Sequence, residues 1–222
     1  MVLIPMNKSL VAQEIIESGI VAIIRSKDSD KVLRIVAALL SGGIRAIEIT
    51  LSVAGALKLV EDSVKEFGND ILIGTGSVVS KDDAVNAVNA GARYLVSPIL
   101  KIDIIEIAHR NEVAAIPGAF SPSEIQKAFE AGADIVKVFP ADVLGLQFIK
   151  DIKAPLPHLN LMPTGGITTD NICKWFDAGA CSVGIGSALL DPVAIKNDDY
   201  RKLAENAGRF VDIIKEYKNK VN

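Results

Sequence analysis

Short apolar runs, four to seven residues long and rich in Val and Ile, recur along the chain: Ile20–Arg25, Ala46–Leu51, Ile71–Gly76, Tyr94–Pro98, Ala114–Pro117, Asp134–Pro140, Leu159–Pro163 and Ser182–Ile185. They are nearly continuous rather than alternating, which suits parallel strands covered on both faces. Between them the apolar period becomes helical. Val32, Ile35, Val36, Leu39 and Leu40 fall on one helical face, as do Ile125, Ala128 and Phe129. Ser121-Pro122-Ser123-Glu124 supplies an N-cap Ser, Pro at the first helical position and Glu at the third, which is a capping box. Ser80 with Asp83 is a weaker version. Helix stops recur as Ser41-Gly42-Gly43, Ala90-Gly91-Ala92, Ala131-Gly132-Ala133 and Ala178-Gly179-Ala180, each with a Gly able to take the left-handed conformation.

Eight strands alternating with helices fit either a (β/α)8 barrel or an open doubly wound sheet, and the count of eight in 222 residues favours the barrel. Ser9–Ser18 predicts an extra helix ahead of the first strand, placed to close the barrel bottom. Asp198–Tyr217 predicts the last outer helix, with Lys218–Asn222 as a frayed end. No linker or low-complexity segment interrupts the pattern, so residues 1–222 read as one domain.

Composition narrows the setting. The charge sum is 24 − 27 = −3, so no basic field points to nucleic acid or an anionic membrane. Half the residues are hydrophobic and mean hydropathy is +0.34. Even so, Ala154–Thr169, a stretch of sixteen residues without Asp, Glu, Lys or Arg, carries three Pro and two Gly and cannot span a membrane. Met1–Ser9 lacks the charged start and apolar core of a secretory leader. Cys173 and Cys181 make no disulfide framework. The expectation is a reduced, cytoplasmic globular protein.

Barrel function belongs at the C-terminal ends of the strands. Those positions hold Arg25, Glu48, Thr50, Ser52, Thr75, Ser77, Ser97, Pro98, Lys137, Phe139, Thr164, Gly165, Gly166, Gly186 and Ser187. Two are anomalous. Alternation in Asp134–Pro140 puts Lys137 on one face with Ile135 and Phe139, toward the barrel interior. An amine lodged there is expected to lose its proton more readily and to serve as a nucleophile for a carbonyl. The competing reading is a lysine salt-bridged to a carboxylate. Glu48 shares an inward face with Ala46 and Thr50, where a carboxylate is costly unless paired or used. Beside Lys137 it is a counter-charge, a proton shuttle, or both.

A third signal is rich in glycine. Thr164-Gly165-Gly166-Ile167 follows the seventh strand and Gly184-Ile185-Gly186-Ser187 the eighth. Such loops, with a helix N-terminus beyond, form a phosphate cradle in barrels. Tight turns alone are the alternative. His109 and His158, the only histidines, have no partner at metal-ligand spacing, so neither a zinc site nor a histidine triad is expected. Phe139 and Trp175 read as packing residues.

Together Glu48-Ile-Thr-Leu51, Gly74-Thr-Gly-Ser-Val78, Ser97-Pro98, Pro117-Gly118, Val136-Lys-Val-Phe-Pro-Ala141, Pro163-Thr-Gly-Gly-Ile167 and Gly184-Ile-Gly-Ser187 resemble the signature of the 2-keto-3-deoxy-6-phosphogluconate (KDPG) aldolases, whose bacterial members often also act on 4-hydroxy-2-oxoglutarate (KHG). The resemblance runs from about Val21 to Leu190. It implies a class I aldolase without metal or other cofactor, a phosphorylated ketoacid substrate and a homotrimer. Lys137 matches the Schiff-base lysine and Glu48 the acid/base. The resemblance also implies that Ser77 contacts the pyruvyl carboxylate, that Pro98 and Phe139 wall the pocket, and that Gly165, Gly166 and Ser187 hold the phosphate. Many members carry Arg directly after Glu-x-Thr-Leu, and here that residue is Ser52, which offers no bidentate charged clamp. Arg25, inward-facing at the end of the neighbouring first strand, is expected to supply the guanidinium instead. Two alternatives keep the fold: a 2-keto-3-deoxy-6-phosphogalactonate aldolase, and a phosphate-binding isomerase or synthase that forms no imine. A non-enzymatic scaffold is a third, disfavoured by the intact Lys/Glu pair.

Overall fold

Ile20–Ile24, the first apolar run, becomes β1, and its parallel neighbour β2 spans Ala46–Thr50 with Ile23 opposite Glu48. A computed structural model, describing residues 7–221, continues the ladder through β3 (Leu72–Gly76) and β4 (Tyr94–Val96) to β5. β5 is split into Ala114–Ile116, paired with β4, and Gly118–Ala119, paired with β6 (Val136–Val138). The break falls at Pro117, which has no N–H to give the ladder. β7 (Leu161–Pro163) pairs with β6, β8 (Val183–Ile185) pairs with β1, and a bridge between Thr164 and Gly184 joins the remaining edges. Eight parallel strands thus curl into the expected barrel. β1, β2, β4 and β6 stop one or two residues short of the apolar runs that predict them, where the loops turn away, and β3, β7 and β8 begin one or two residues late.

The helices are α1 (Lys8–Ser18), α2 (Val32–Ser41), α3 (Ala56–Phe67), α4 (Lys81–Asn89), α5 (Ile102–Arg110), α6 (Pro122–Glu130), α7 (Ala141–Lys153, broken at Gly145), α8 (Ile172–Asp177), α9 (Pro192–Lys196) and α10 (Tyr200–Val221). Both capping boxes form, Ser121 with Glu124 and Ser80 with Asp83. Of the four glycine stops, Gly43, Gly91 and Gly132 have φ 92° and Gly179 has φ 103°, a backbone that a β-carbon disfavours.

Strand alternation divides the apolar residues into two sets. Ile47 and Ile49 join the larger cluster beneath the helices. Val21, Ala46, Leu72, Tyr94, Ile135 and Met162 pack inside the barrel against Val11 and Ile15 of α1, so the N-terminal helix does close the bottom. Lys218 Nζ fixes that helix by donating to Ile16 O (2.9 Å) and Glu17 O (2.7 Å).

This contact corrects the expected fraying, since α10 runs on through the segment 218–221. A second correction concerns Phe129, which is exposed on α6 with its ring edge-on to His158 at 4.8 Å. Periodicity placed it on one face with Ile125 and Ala128, but only those two are buried and Phe129 lies at the exposed edge of the stripe. Cys173 and Cys181 are free and half-buried. Among the described residues no helix is long and apolar enough to cross a membrane. The reading of Met1–Ser9 falls mostly outside them.

Candidate active site

Glu48 projects from the middle of β2 into the barrel and is 1 % exposed. Room for its carboxyl comes from β3, whose paired position is Gly74 and whose next inward position is Gly76. A β-carbon on Gly76 would collide with Glu48 Oε1, so glycine there is a condition of having a carboxylate at 48. Burial pushes the Glu48 carboxyl up from its ordinary value, and the positive charges of Lys137 and then Arg25 pull it back only in part.

Lys137 sits at the centre of β6, 5 % exposed. Its backbone N–H donates to Pro117 O at 2.9 Å, and it pairs in register with Gly118. Gly118 is itself required, because a β-carbon there would enter the backbone of Pro98. The Lys137 ammonium lies over the Phe139 ring, 5.0 Å from its centroid. Among the described residues no carboxylate oxygen comes within 4.0 Å of it. The competing picture of a lysine locked in a salt bridge does not describe this residue. An amine held in an apolar wall, near but not bonded to a carboxyl, can attack a carbonyl and exchange protons with that carboxyl.

At the C-terminal ends of β1, β7 and β8 the mouth opens into a cavity of about 580 Å³. Seven of the ten candidate substrate-binding residues line it: Arg25, Phe139, Thr164, Gly165, Gly166, Gly186 and Ser187. Lys137 and Glu48 are not among the residues that line it. Gly165 (φ 114°) and Gly166 (φ 69°) need glycine for their backbone, and a β-carbon on either would press on Asp142, at 2.9 and 2.7 Å. Among the described residues the N–H groups of Gly166 and Ser187 meet no acceptor and are available to an anion. The helix end expected beyond Ser187 is not. α9 has only five residues, and Asp191 Oδ1 already accepts from Val193 and Ala194 N–H at 2.8 and 3.4 Å. The glycine-rich loops therefore present turns, and no free helix end, to the cavity.

Ser52, Ser77 and Pro98 are not on the cavity wall. Ser52 is exposed, with its hydroxyl 2.7 Å from Thr50 Oγ1. Thr50 in turn donates to Ile24 O at 3.2 Å, so the Ser52 proton is spent on Thr50. Ser77 has φ 61° just after Gly76, a left-handed backbone unusual for a residue with a side chain and frequent at functional strand ends. Pro98 packs its backbone on Gly118.

Lys27 and Lys196, which sequence reasoning passed over, add two ammonium groups to the cavity wall. Lys27 could have been found two positions beyond Arg25. Nothing in the sequence marks Lys196, whose place depends on how the short α9 folds over the mouth. Also unmarked was Tyr94, an inward residue of β4 by simple alternation.

Residues 11–206 match the family model described as KDPG and KHG aldolase. A curated relative from Escherichia coli K12, 2-dehydro-3-deoxy-6-phosphogalactonate aldolase, is 30% identical over 89% of this chain and 95% of its own length. A 2-dehydro-3-deoxy-phosphogluconate aldolase from Pseudoalteromonas atlantica is also 30% identical, over 92% of this chain and 96% of its own. Among solved structures, KDPG aldolase from Legionella pneumophila, with pyruvate captured as a covalent carbinolamine intermediate, superposes with a TM-score of 0.83 at 30% identity. That match covers 91% of this chain and 97% of the other.

Proposed function

The chain belongs to the KDPG and KHG aldolase family, and from that premise we propose that it is a class I aldolase working through an imine on Lys137. Its substrate is KDPG, cleaved reversibly to pyruvate and glyceraldehyde 3-phosphate, with KHG, cleaved to pyruvate and glyoxylate, as a second. The observation that supports this reading most is Lys137 itself: buried, without a carboxylate within 4.0 Å, and sharing the barrel interior with Glu48.

The neutral amine of Lys137 attacks the C2 ketone to give a carbinolamine, and loss of water leaves an iminium. Glu48 carboxylate takes the C4 hydroxyl proton while the C3–C4 bonding pair flows into the iminium, forming an enamine and releasing the aldehyde. Protonation of the enamine at C3 by Glu48, then hydrolysis, frees pyruvate and restores the amine. Arg25 grips the ketoacid carboxylate in place of the Arg missing at Ser52, and the turns at Gly165, Gly166 and Ser187 receive the phosphate.

Borohydride reduction with pyruvate, followed by peptide mass measurement, tests the reading. An irreversible pyruvyl adduct on Lys137, absent in Lys137→Ala, supports it, and an unmodified lysine counts for a barrel that forms no imine. Relatives equally similar to this chain carry the phosphogalactonate and phosphogluconate names, so the C4 epimer is the second question. Turnover of both epimers side by side decides it. The homotrimer belongs to the same reading: Val79, Ile99 and Phe120, on the loops after β3, β4 and β5, and Ile102 at the start of α5 leave apolar side chains exposed. Sedimentation at three times the protomer mass is the expected result.

A further inference from the structure

Tyr94 brings a hydroxyl to a level of the barrel otherwise packed with Val21, Leu72, Ile135 and Met162. The residue is fully buried, and its Oη has no hydrogen-bond partner. The second orphaned oxygen nearby is Oε2 of Glu48, also buried and unpartnered. Ladder register places Glu48 opposite Gly74 and Gly74 opposite Tyr94, so only a glycine separates them across the sheet. A β-carbon on Gly74 would fall into the Tyr94 ring, which means that the ring occupies the space between β4 and Glu48's strand. Phenylalanine would fill that space equally well. The hydroxyl therefore needs a reason, since a buried donor left unmade is a cost.

We propose that Tyr94 is a positioning residue for Glu48: its hydroxyl turns to donate a hydrogen bond to the carboxylate when Glu48 is ionised, and gives it up when Glu48 takes a proton during turnover. The inference rests on the acid/base role proposed for Glu48. The charged and titratable groups facing Glu48 are Arg25 just after β1, Lys137 from β6 and Tyr94 from β4, while β3 offers only glycine. Burial first, and the Glu48 charge second, hold the Tyr94 phenol well above its ordinary value, so it serves as a donor and not as a base.

The test is Tyr94→Phe, which keeps the ring and removes only the donor. Losing that donor destabilises the carboxylate and raises the pH at which Glu48 gains its proton. The acid limb of kcat/KM is then expected to move up by about one pH unit, a roughly tenfold loss at the acid end, with KM and the alkaline plateau unchanged. Unchanged melting behaviour accompanies this if the role is positional. A profile that coincides with the wild type overturns the proposal. Borohydride trapping run in parallel separates the two failures. If the wild type forms the Lys137 adduct and the profiles coincide, Tyr94 alone is wrong. If the wild type forms no adduct, the aldolase reading falls and the Tyr94 inference with it.

Discussion

The two ends of the barrel share the same strands and differ in what those strands point inward. At the lower end Val21, Ala46, Leu72, Ile135 and Met162 fill the interior, and Val11 and Ile15 plug it from below. Two to four residues farther along, the inward positions become Gly74, Gly76, Gly118, Gly184 and Gly186, with Glu48, Lys137 and Thr164 among them. Each of Gly74, Gly76, Gly118 and Gly184 admits a specific neighbour: the Tyr94 ring, the Glu48 carboxyl, the Pro98 backbone and the Thr164 hydroxyl. Catalytic volume in this fold is made by subtraction. The lower end supplies the apolar burial that lets the upper end keep charged and unpartnered groups.

Gly76→Ala tests the difference most severely. A methyl group there displaces the Glu48 carboxyl, and kcat should fall by about 100-fold with about 1–3 kcal/mol of lost stability. Steady-state kinetics and thermal melts read both, and an enzyme with normal kcat would show that the carboxyl needs no such space. Arg25→Ala should act on binding, with KM for the ketoacid rising about tenfold or more as a charged clamp is removed. An unchanged KM would return the carboxylate to some other group and sink the relocation from position 52. Leu72→Ala, at the bottom of the Gly76 strand, should leave kcat and KM within about twofold. Its cost is stability, about 2–5 kcal/mol and a Tm lower by roughly 5–15 °C. A large kinetic effect there would mean that the two ends are not separable.

The strands were legible because parallel strands buried on both faces are written as unbroken apolar runs, and the helix ends because a capping box or a left-handed glycine leaves a local mark. Lys137 and Glu48 stood out since charge at an inward strand position is costly and rare. What escaped depends on tertiary geometry. Periodicity could not show that Phe129 lies at the exposed edge of the stripe, nor that Asp191 occupies the helix end after Ser187 and leaves only turns at the glycine-rich mouth. The apolar run over Ala114–Pro117 did contain the proline that splits β5, a cue left unused. Gly76 and Gly118 carried a signal too, glycine at an inward strand position, but its meaning appears only once the neighbour that fills the space is known.

The plug formed by α1 has a consequence for traffic. With Val11 and Ile15 packed into the far end, that end is closed to Lys137, and the open mouth beside Arg25 and the paired glycines lies at the opposite end of the barrel. On the proposed aldolase reading, a product aldehyde leaves by the same open end that admits the ketoacid, so each product competes with incoming substrate for the corridor as well as for the lysine.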